Sequence, residues 1–258
     1  MRIIAGKYKG RTLESFSGDA VRPTSDRARE ALFSCLQFEI EGKKFLDAFC
    51  GSGAVGIEAL SRGAKETLFI DAARDSAEIT KKNLNKLNIT ARVLNTDCTE
   101  FLKHTNEKFD IVFLDPPYKS ESGKNALEII ARRDLLNENG LCIIERGSAF
   151  NELIGGLFIE KQKKYGIANF TFYRLVDKDT CVFAGSFDPI TNGHKRIVER
   201  ALEKYKKVIV AIGNNENKTY MLDRFTREKA VKATFEDNPR VEVVYFDGLL
   251  VDFLKSRR

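Results

Sequence analysis

Histidine is nearly missing from this chain, with 2 in 258 residues, and its 5 cysteines (Cys35, Cys50, Cys98, Cys142, Cys181) are scattered with no C-x-x-C pair. Such spacing suggests neither a disulfide framework nor a metal site of the zinc type. No apolar run approaches the roughly 20 residues that span a bilayer, and the opening MRIIAGKYKGR lacks the apolar stretch of a secretory signal. A cytoplasmic protein is therefore expected. What is present is apolar bulk and positive charge. Hydrophobic residues make up 43%, enough for real cores, and 258 residues leave room for one large domain or two modest ones. A net charge of +6 suits a polyanionic partner without specifying one.

The most informative stretch runs from Leu46 to Ala64, LDAFCGSGAVGIEALSRGA. An apolar run from Lys44 to Phe49 reads as a strand, and Ala54 to Arg62 carries helical apolar spacing. Between them Gly51, Gly53 and Gly56 let backbone approach a ligand and let the helix pack closely. Phe49, Gly51, Ser52, Gly53 and Gly56 are thus the candidate cofactor-binding turn. A G-x-G-x-x-G turn serves nicotinamide and flavin dinucleotides as well as S-adenosylmethionine (SAM). Asp47 favours SAM, because its carboxylate can accept hydrogen bonds around the amino-acid end, whereas dinucleotide strands are usually apolar up to the glycines. A second strand, Glu66 to Ile70, ends in Asp71, about 20 residues past the first glycine, where an acid can hold ribose hydroxyls. After a helix from Ala73 to Asn88 and a strand from Ala91 to Leu94 comes Asp97.

Further on, the strand Phe109 to Leu114 runs into Asp115-Pro116-Pro117-Tyr118. The lone pair of an arylamine is delocalised into its ring, so acceptors that grip its N–H groups and favour pyramidal nitrogen make it more nucleophilic. Asp115 is one such acceptor and the Pro116 carbonyl the other, held by two prolines of fixed φ. Tyr118 can stack on a base. The tetrapeptide resembles the Asp/Asn-Pro-Pro-Tyr/Phe signature of methyltransferases that act on exocyclic amino groups of bases.

Two N-terminal strings extend the resemblance. Arg2 to Leu13 reads as a short hairpin with Lys7, Lys9 and Arg11 near a glycine turn, a candidate phosphate clamp. Val21-Arg-Pro-Thr-Ser-Asp-Arg-Ala-Arg-Glu-Ala-Leu-Phe33 reads as a helix that Thr24 or Ser25 could cap. With the glycine turn and Asp-Pro-Pro-Tyr, these strings are similar in order and spacing to the bacterial 16S rRNA guanine-N2 methyltransferase family from Met1 to about Leu175. The resemblance implies SAM as cofactor, 16S rRNA or the small ribosomal subunit as partner, and Asp115, Pro116, Pro117 and Tyr118 as the catalytic set. It also implies that Asp97 meets the adenine amino group and that Arg22, Thr24, Arg27 and Arg29 line the cleft. A helix near Asn125 to Arg133, a turn at Asn137 to Gly140, a strand from Leu141 to Glu145 and a hairpin (Leu157 to Tyr165, Asn169 to Leu175) complete the alternation. The expected fold is α/β, a class I methyltransferase Rossmann-like sheet with a C-terminal antiparallel hairpin. Because this signature serves adenine and cytosine too, DNA amino-methylation is the alternative reading.

A second domain is expected over 179–258, after a methyltransferase domain over 1–176. A new strand, Cys181 to Ala184, leads into Gly185-Ser-Phe-Asp-Pro-Ile-Thr-Asn-Gly-His194. His194 begins a helix, where terminal N–H groups and an imidazole can meet phosphates. The decapeptide resembles the T/H-x-G-H motif of nucleotidyltransferases, in the form found in phosphopantetheine adenylyltransferase of coenzyme A biosynthesis. That resemblance implies ATP, with Mg2+, and phosphopantetheine as ligands. It assigns the nucleotide or pantetheine site to Ser186, Phe187, Asp188, Thr191, His194, Lys218, Leu249 and Leu250, with His194 catalytic. The stretch covers roughly the N-terminal half of that family's domain, so a partial nucleotidyltransferase-like α/β unit is expected, its first strand an apolar edge. A module that binds nucleotide or a partner without turnover is the alternative for this half.

Overall fold

The computed structural model describes residues 1–16, 26–117, 120–152, 154–176, 179–215 and 218–256. They fall into two compact units, Met1–Val176 and Asp177–Arg258. In the first, an N-terminal hairpin precedes α1 (Asp26–Cys35), β1 (Lys44–Ala48), α2 (Ala54–Ser61), β2 (Glu66–Asp71), α3 (Arg74–Lys86) and β3 (Arg92–Asn95). Then come α4 (Cys98–His104), β4 (Phe109–Leu114), α5 (Ser122–Arg133), β5 (Leu136–Arg146), β6 (Leu157–Tyr165) and β7 (Ala168–Leu175). The seven strands form one sheet in the order β3-β2-β1-β4-β5-β7-β6. It is parallel from β3 to β5 and antiparallel where β7 joins β5 and β6.

Strands covered on both faces need apolar residues at nearly every position, and β1 and β4 have them. Phe45, Ile111 and Phe113 point into a core with Leu32 and Phe33 of α1 and Val55 and Ala59 of α2. Their neighbours Leu46, Val112 and Leu114 point the opposite way, into a core with Leu102 of α4 and Leu127 and Ile130 of α5. Helix α3 buries Ser76, Ala77, Thr80, Asn83 and Leu84, a stripe of helical period. Three of those five side chains are polar, and two of them serve the site described below.

Two expectations change. The turn at Asn137 to Gly140 lies within β5: Leu136 pairs with Phe109 and Leu141 with Ile111, so the four residues form a bulge. Asn137 Nδ2 donates to Asp110 Oδ1 (3.0 Å) and ties it down. Helix α4 occupies a segment for which no helix is predicted; Asp97 starts it as N-cap, with Glu100 N–H donating to the carboxylate (3.0 Å).

The N-terminal hairpin forms, with an isolated bridge between Arg2 and Thr12, and docks along α2 through buried Glu58. Ile4 N–H donates to Glu58 Oε2 (2.8 Å), Ala5 N–H to Oε1 (3.0 Å) and Arg62 Nε to Oε1 (2.7 Å). A Cβ on Gly6 would lie 1.8 Å from the Ser61 carbonyl oxygen, so backbone meets backbone there. No helix among the described residues is long and apolar enough to cross a membrane.

In the second unit β8 (Thr180–Gly185), α6 (Asn192–Leu202), β9 (Lys207–Asn214), α7 (Arg224–Phe235), β10 (Val241–Asp247) and α8 (Leu250–Ser256) alternate. Their three strands are parallel in the order β10-β9-β8. Central β9 is buried over five consecutive residues, while β8 and β10 are half-buried along most of their lengths.

Replacing Glu58 by Ala strands two backbone donors and the Arg62 charge, a loss of about 3 kcal/mol or more. The melting temperature of the first unit is expected to fall by roughly 10 °C, with Ile4 and Ala5 amides losing hydrogen-exchange protection; Glu58→Gln should lose less.

Candidate functional site

The reversal of strand order between β1 and β4 opens a crevice at their carboxyl ends, where α/β sheets hold ligands. The three glycines beside it have different reasons to be glycine. Gly51 and Gly53 have φ of +55° and +77°, in the left-handed region. A Cβ on Gly53 would stand 2.8 Å from Thr80, and one on Gly56 2.3 Å from the Phe69 ring, so these serve close packing. A Cβ on Gly51 would meet nothing within 4 Å, which makes Gly51 the position a ligand can approach. Two buried polar residues of α3 fix the turn from beneath: Thr80 Oγ1 donates to the Gly51 carbonyl (3.0 Å) and Asn83 Nδ2 to that of Ser52 (2.9 Å). Sequence reasoning missed both, because nothing in the linear sequence separates them from the exposed polar residues of α3. Ser52 is itself buried, and Phe49, at φ +80°, is half-buried against the core beside α5.

Helix α2 begins at Gly53, which has no side chain to cap it. Asp47, 1% exposed, supplies the missing acceptor from the neighbouring strand: Gly56 N–H, one of the helix's unpaired first-turn donors, donates to its Oδ2 (2.8 Å). Burial pushes the Asp47 carboxyl up to about 7; the Gly56 hydrogen bond works against this, and the charges of Asp115 and Asp71 add to it. Asp71, ending β2, accepts from Gly51 N–H (2.8 Å) and Ala73 N–H (2.8 Å). Asp71 and Asp115 thus both lie close enough for their charges to act on Asp47. Asp97 is exposed, and its Oδ1 accepts from Thr99 Oγ1 and Glu100 N–H. The Thr99 hydrogen bond above all holds this carboxyl below its ordinary range.

Asp115 follows β4 directly and is half-buried. Pro116 is buried against the start of α5, where a Cβ on Gly123 would lie 2.7 Å from its ring. Ser120 closes the loop, its N–H and its hydroxyl both donating to the Pro117 carbonyl (2.9 Å each), and Arg146 Nη1 donates to the Ser120 carbonyl (3.0 Å). Gly123, Ser120 and Arg146 carry no pattern that marks them in the sequence. Tyr118, Arg22 and Thr24 lie outside the described residues.

Among the basic residues, Arg29 is not where the sequence reading puts it. Arg27 is exposed on α1, but Arg29 is wholly buried rather than lining a cleft. Its Nη2 donates to the Arg2 carbonyl and to Asp26 Oδ1 (3.0 Å), and desolvation lowers its pKa. It joins α1 to the N-terminal hairpin. Lys7 and Lys9 are exposed beside the C-terminal end of α2, where Lys7 N–H donates to the Ser61 carbonyl (2.7 Å). The glycine turn is at the other end of that helix. Arg11 is exposed on the return strand.

In the second unit the candidate residues cluster at the carboxyl edge of the small sheet. Thr191 caps α6, and His194 Nδ1 accepts from Thr191 N–H (3.0 Å) while packing on the rings of Phe187 (5.2 Å) and Phe183 (6.1 Å). With Nδ1 taken as acceptor, the neutral ring carries its proton on Nε2, a donor. Lys218 Nζ reaches Ser186 Oγ (3.4 Å), and Asp188 accepts from Met221 N–H (2.6 Å) and Leu222 N–H (2.8 Å). Sequence reasoning missed Arg227, which is buried, donates to the Ser186 carbonyl (3.0 Å) and lies 3.9 Å over the Tyr220 ring. Leu249 and Leu250 are exposed beyond β10.

The sheet order, the glycine turn at the switch point and the proline-rich loop after β4 define the first unit as a class I methyltransferase fold. Over residues 1–174 the chain matches the family described as Conserved hypothetical protein 95, and it belongs to that family. It is 39% identical over 150 residues to Ribosomal RNA small subunit methyltransferase D of Haemophilus influenzae, covering 56% of this chain and 78% of that protein. The solved structure of Escherichia coli yhhF, described as a methyltransferase, superposes with a TM-score of 0.61 at 32% identity, over 68% of this chain and 97% of that one. Residues 182–258 match the Cytidylyltransferase-like family. There the chain is 39% identical over 77 residues to Phosphopantetheine adenylyltransferase of Flavobacterium johnsoniae, covering 30% of this chain and spanning about half (51%) of that protein's length.

A carboxyl whose folded pKa is raised binds its proton more tightly in the folded state. Asp47 therefore contributes stability at low pH that is lost as pH climbs from about 4 to about 7. Between pH 5 and 8 the melting temperature of the first unit is expected to fall more steeply in the wild type than in Asp47→Asn, which keeps an acceptor for Gly56 without the charge.

Proposed function

We propose that the first unit is a SAM-dependent RNA methyltransferase that acts on the exocyclic N2 amino group of a guanine in small-subunit (16S) rRNA. The observation that carries this reading is Asp115-Pro116-Pro117 at the carboxyl end of β4, beside the glycine turn after β1. The Haemophilus relative's name supports the rRNA substrate. The charge of the turn supports SAM over a dinucleotide. A pyrophosphate would add negative charge next to Asp47, Asp71 and Asp115, whereas a ligand carrying an ammonium and a sulfonium relieves their repulsion. Open space at Gly51 provides for its approach.

SAM, when bound, supplies a methyl group already activated on sulfur. The chain's own residues bind and orient. Asp71, Asp47, Phe49 and the Gly51 to Gly56 turn would hold the cofactor, with Asp97 toward its adenine. The Asp115 carboxylate and the Pro116 carbonyl accept the amino N–H groups of the base, which Tyr118 stacks against. The packing of Pro116 on Gly123 and the Ser120 closure hold those acceptors still, so little reorganisation is needed. A guanine reaches them only when unstacked.

The test is methyl transfer from labelled SAM to small-subunit particles lacking the modification, with the methylated base mapped by mass spectrometry. Asp115→Ala is expected to lower kcat by 100-fold or more while SAM binding persists. Label that enters adenine or cytosine of duplex DNA instead of rRNA would establish the DNA amino-methyltransferase reading.

For the second unit the proposal is a nucleotide site for ATP with Mg2+, and for phosphopantetheine, built on the α6 N-terminus, His194, Ser186 and Lys218. Its support is the Nε2–H donor left to His194 by the Thr191 contact. In calorimetry His194→Ala is expected to weaken ATP binding roughly tenfold, as for a hydrogen bond to a charged group. Pyrophosphate release with phosphopantetheine present would mark adenylyl transfer; binding without release would mark a docking module.

A further inference from the structure

Lys7 and Lys9, the basic pair nearest the chain start, sit at the far end of α2 from the candidate site. Positive charge at the site's own end of the sheet comes from elsewhere. Strand β7 runs antiparallel to β5 and β6 antiparallel to β7, so β6 ends, and the hairpin turns, at the carboxyl edge of the parallel strands. The register makes this concrete: Leu114 of β4 pairs with Ile144 of β5, Arg146 of β5 pairs with Asn169 of β7, and Asn169 pairs with Lys164 of β6. Lys163 opposite Phe170, Lys164, and the tip residues Tyr165 to Ile167 therefore lie level with or beyond Asp115, three strands across, or about 14 Å at ordinary strand spacing.

The tip is exposed and cationic. Lys163 and Lys164 are both exposed, the run from Lys163 to Asn169 contains no acid, and no ion pair among the described residues involves either lysine. The acid of this hairpin, Glu160, lies lower on β6 and is taken by Arg174 (2.6 Å) and Lys161 (3.9 Å). The tip is also fixed in place, because the Tyr165 ring packs 6.3 Å from that of Phe170, a core residue. Ile167 is 51% exposed at the turn. Lysines on an edge strand also discourage strand addition, but that role needs them along the strand and makes no demand on charge at the tip.

We propose that the tip of the β6–β7 hairpin is an RNA-contacting surface: Lys163 and Lys164 engage backbone phosphates a few nucleotides from the base held at Asp115. This rests on the rRNA methyltransferase reading. The contacts position the RNA and do not read its sequence, and neither lysine touches the reacting atoms. Phosphate contacts release counterions, so the pair adds about 1.4 to the slope of log affinity against log salt for a single strand.

The experiment uses the full chain, unmodified small-subunit particles and their free rRNA, and the double variant Lys163→Gln/Lys164→Gln. Its control is Lys43→Gln/Lys65→Gln at the opposite, amino-terminal edge of the sheet. The tip variant is expected to show RNA affinity and KM for particles poorer by roughly tenfold, a salt slope flatter by about 1 to 2, and unchanged SAM binding and kcat at saturating substrate. The control should match the wild type. Wild-type affinity, KM and salt slope in the tip variant would overturn the proposal and leave the methyltransferase reading intact. A wild-type chain that neither binds nor methylates rRNA would overturn both.

Discussion

The hydrogen bond from Gly56 N–H to Asp47 joins the first strand of the sheet to the helix after the glycine turn, and much of the first unit depends on it. It goes with a glycine at Gly53, where φ is left-handed and Thr80 fills the space a Cβ would take, and another at Gly56, where α2 lies against Phe69. It also requires an acid in a fully buried strand. The acid is tolerated because it faces the positive end of a helix, and its raised pKa records that the compensation is partial. A cationic ligand near the turn would complete it. One contact thus links strand, turn, helix and the kind of molecule the crevice favours.

A second acid, Glu58, gives the same helix a different task. On the side away from the sheet it collects two backbone amides of the N-terminal hairpin and the Arg62 guanidinium. Arg29 fastens the hairpin to α1 from the other direction. Two buried charges, one of them expected to line the cleft, are therefore clamps for a segment too short to have a core of its own. The hairpin's lysines are carried with it to the end of α2 remote from the crevice. Among the described basic groups at the crevice's edge of the sheet, Arg146 is engaged by the Ser120 carbonyl, whereas Lys163 and Lys164 of the β6–β7 tip are exposed.

The second unit also builds its candidate site on a helix start. Thr191 caps α6 and at the same time fixes the imidazole of His194, so the local structure of a helix start sets the tautomer of a candidate phosphate donor. Arg227 holds the Ser186 carbonyl and stacks on Tyr220, tying the loop after β8 to the start of α7.

The alternation of strands and helices, the glycine turn and the proline-rich loop were legible in the sequence by itself, because spacing and turn chemistry are local and leave a periodic trace. Family membership was legible for the same reason, since ordered motifs over Met1 to Leu175 leave few folds open. Helix α4 and the bulge in β5 were not, because a short capped helix and an interrupted strand both look like loops in a linear reading. Only the tertiary structure decided that Asp47 caps α2, that Thr80 and Asn83 support the turn, that Arg29 is buried and that Lys7 of the hairpin lies against the C-terminal end of α2. Each depends on which distant segment covers a side chain, and burial and hydrogen-bond partners are properties of packing that no local spacing encodes.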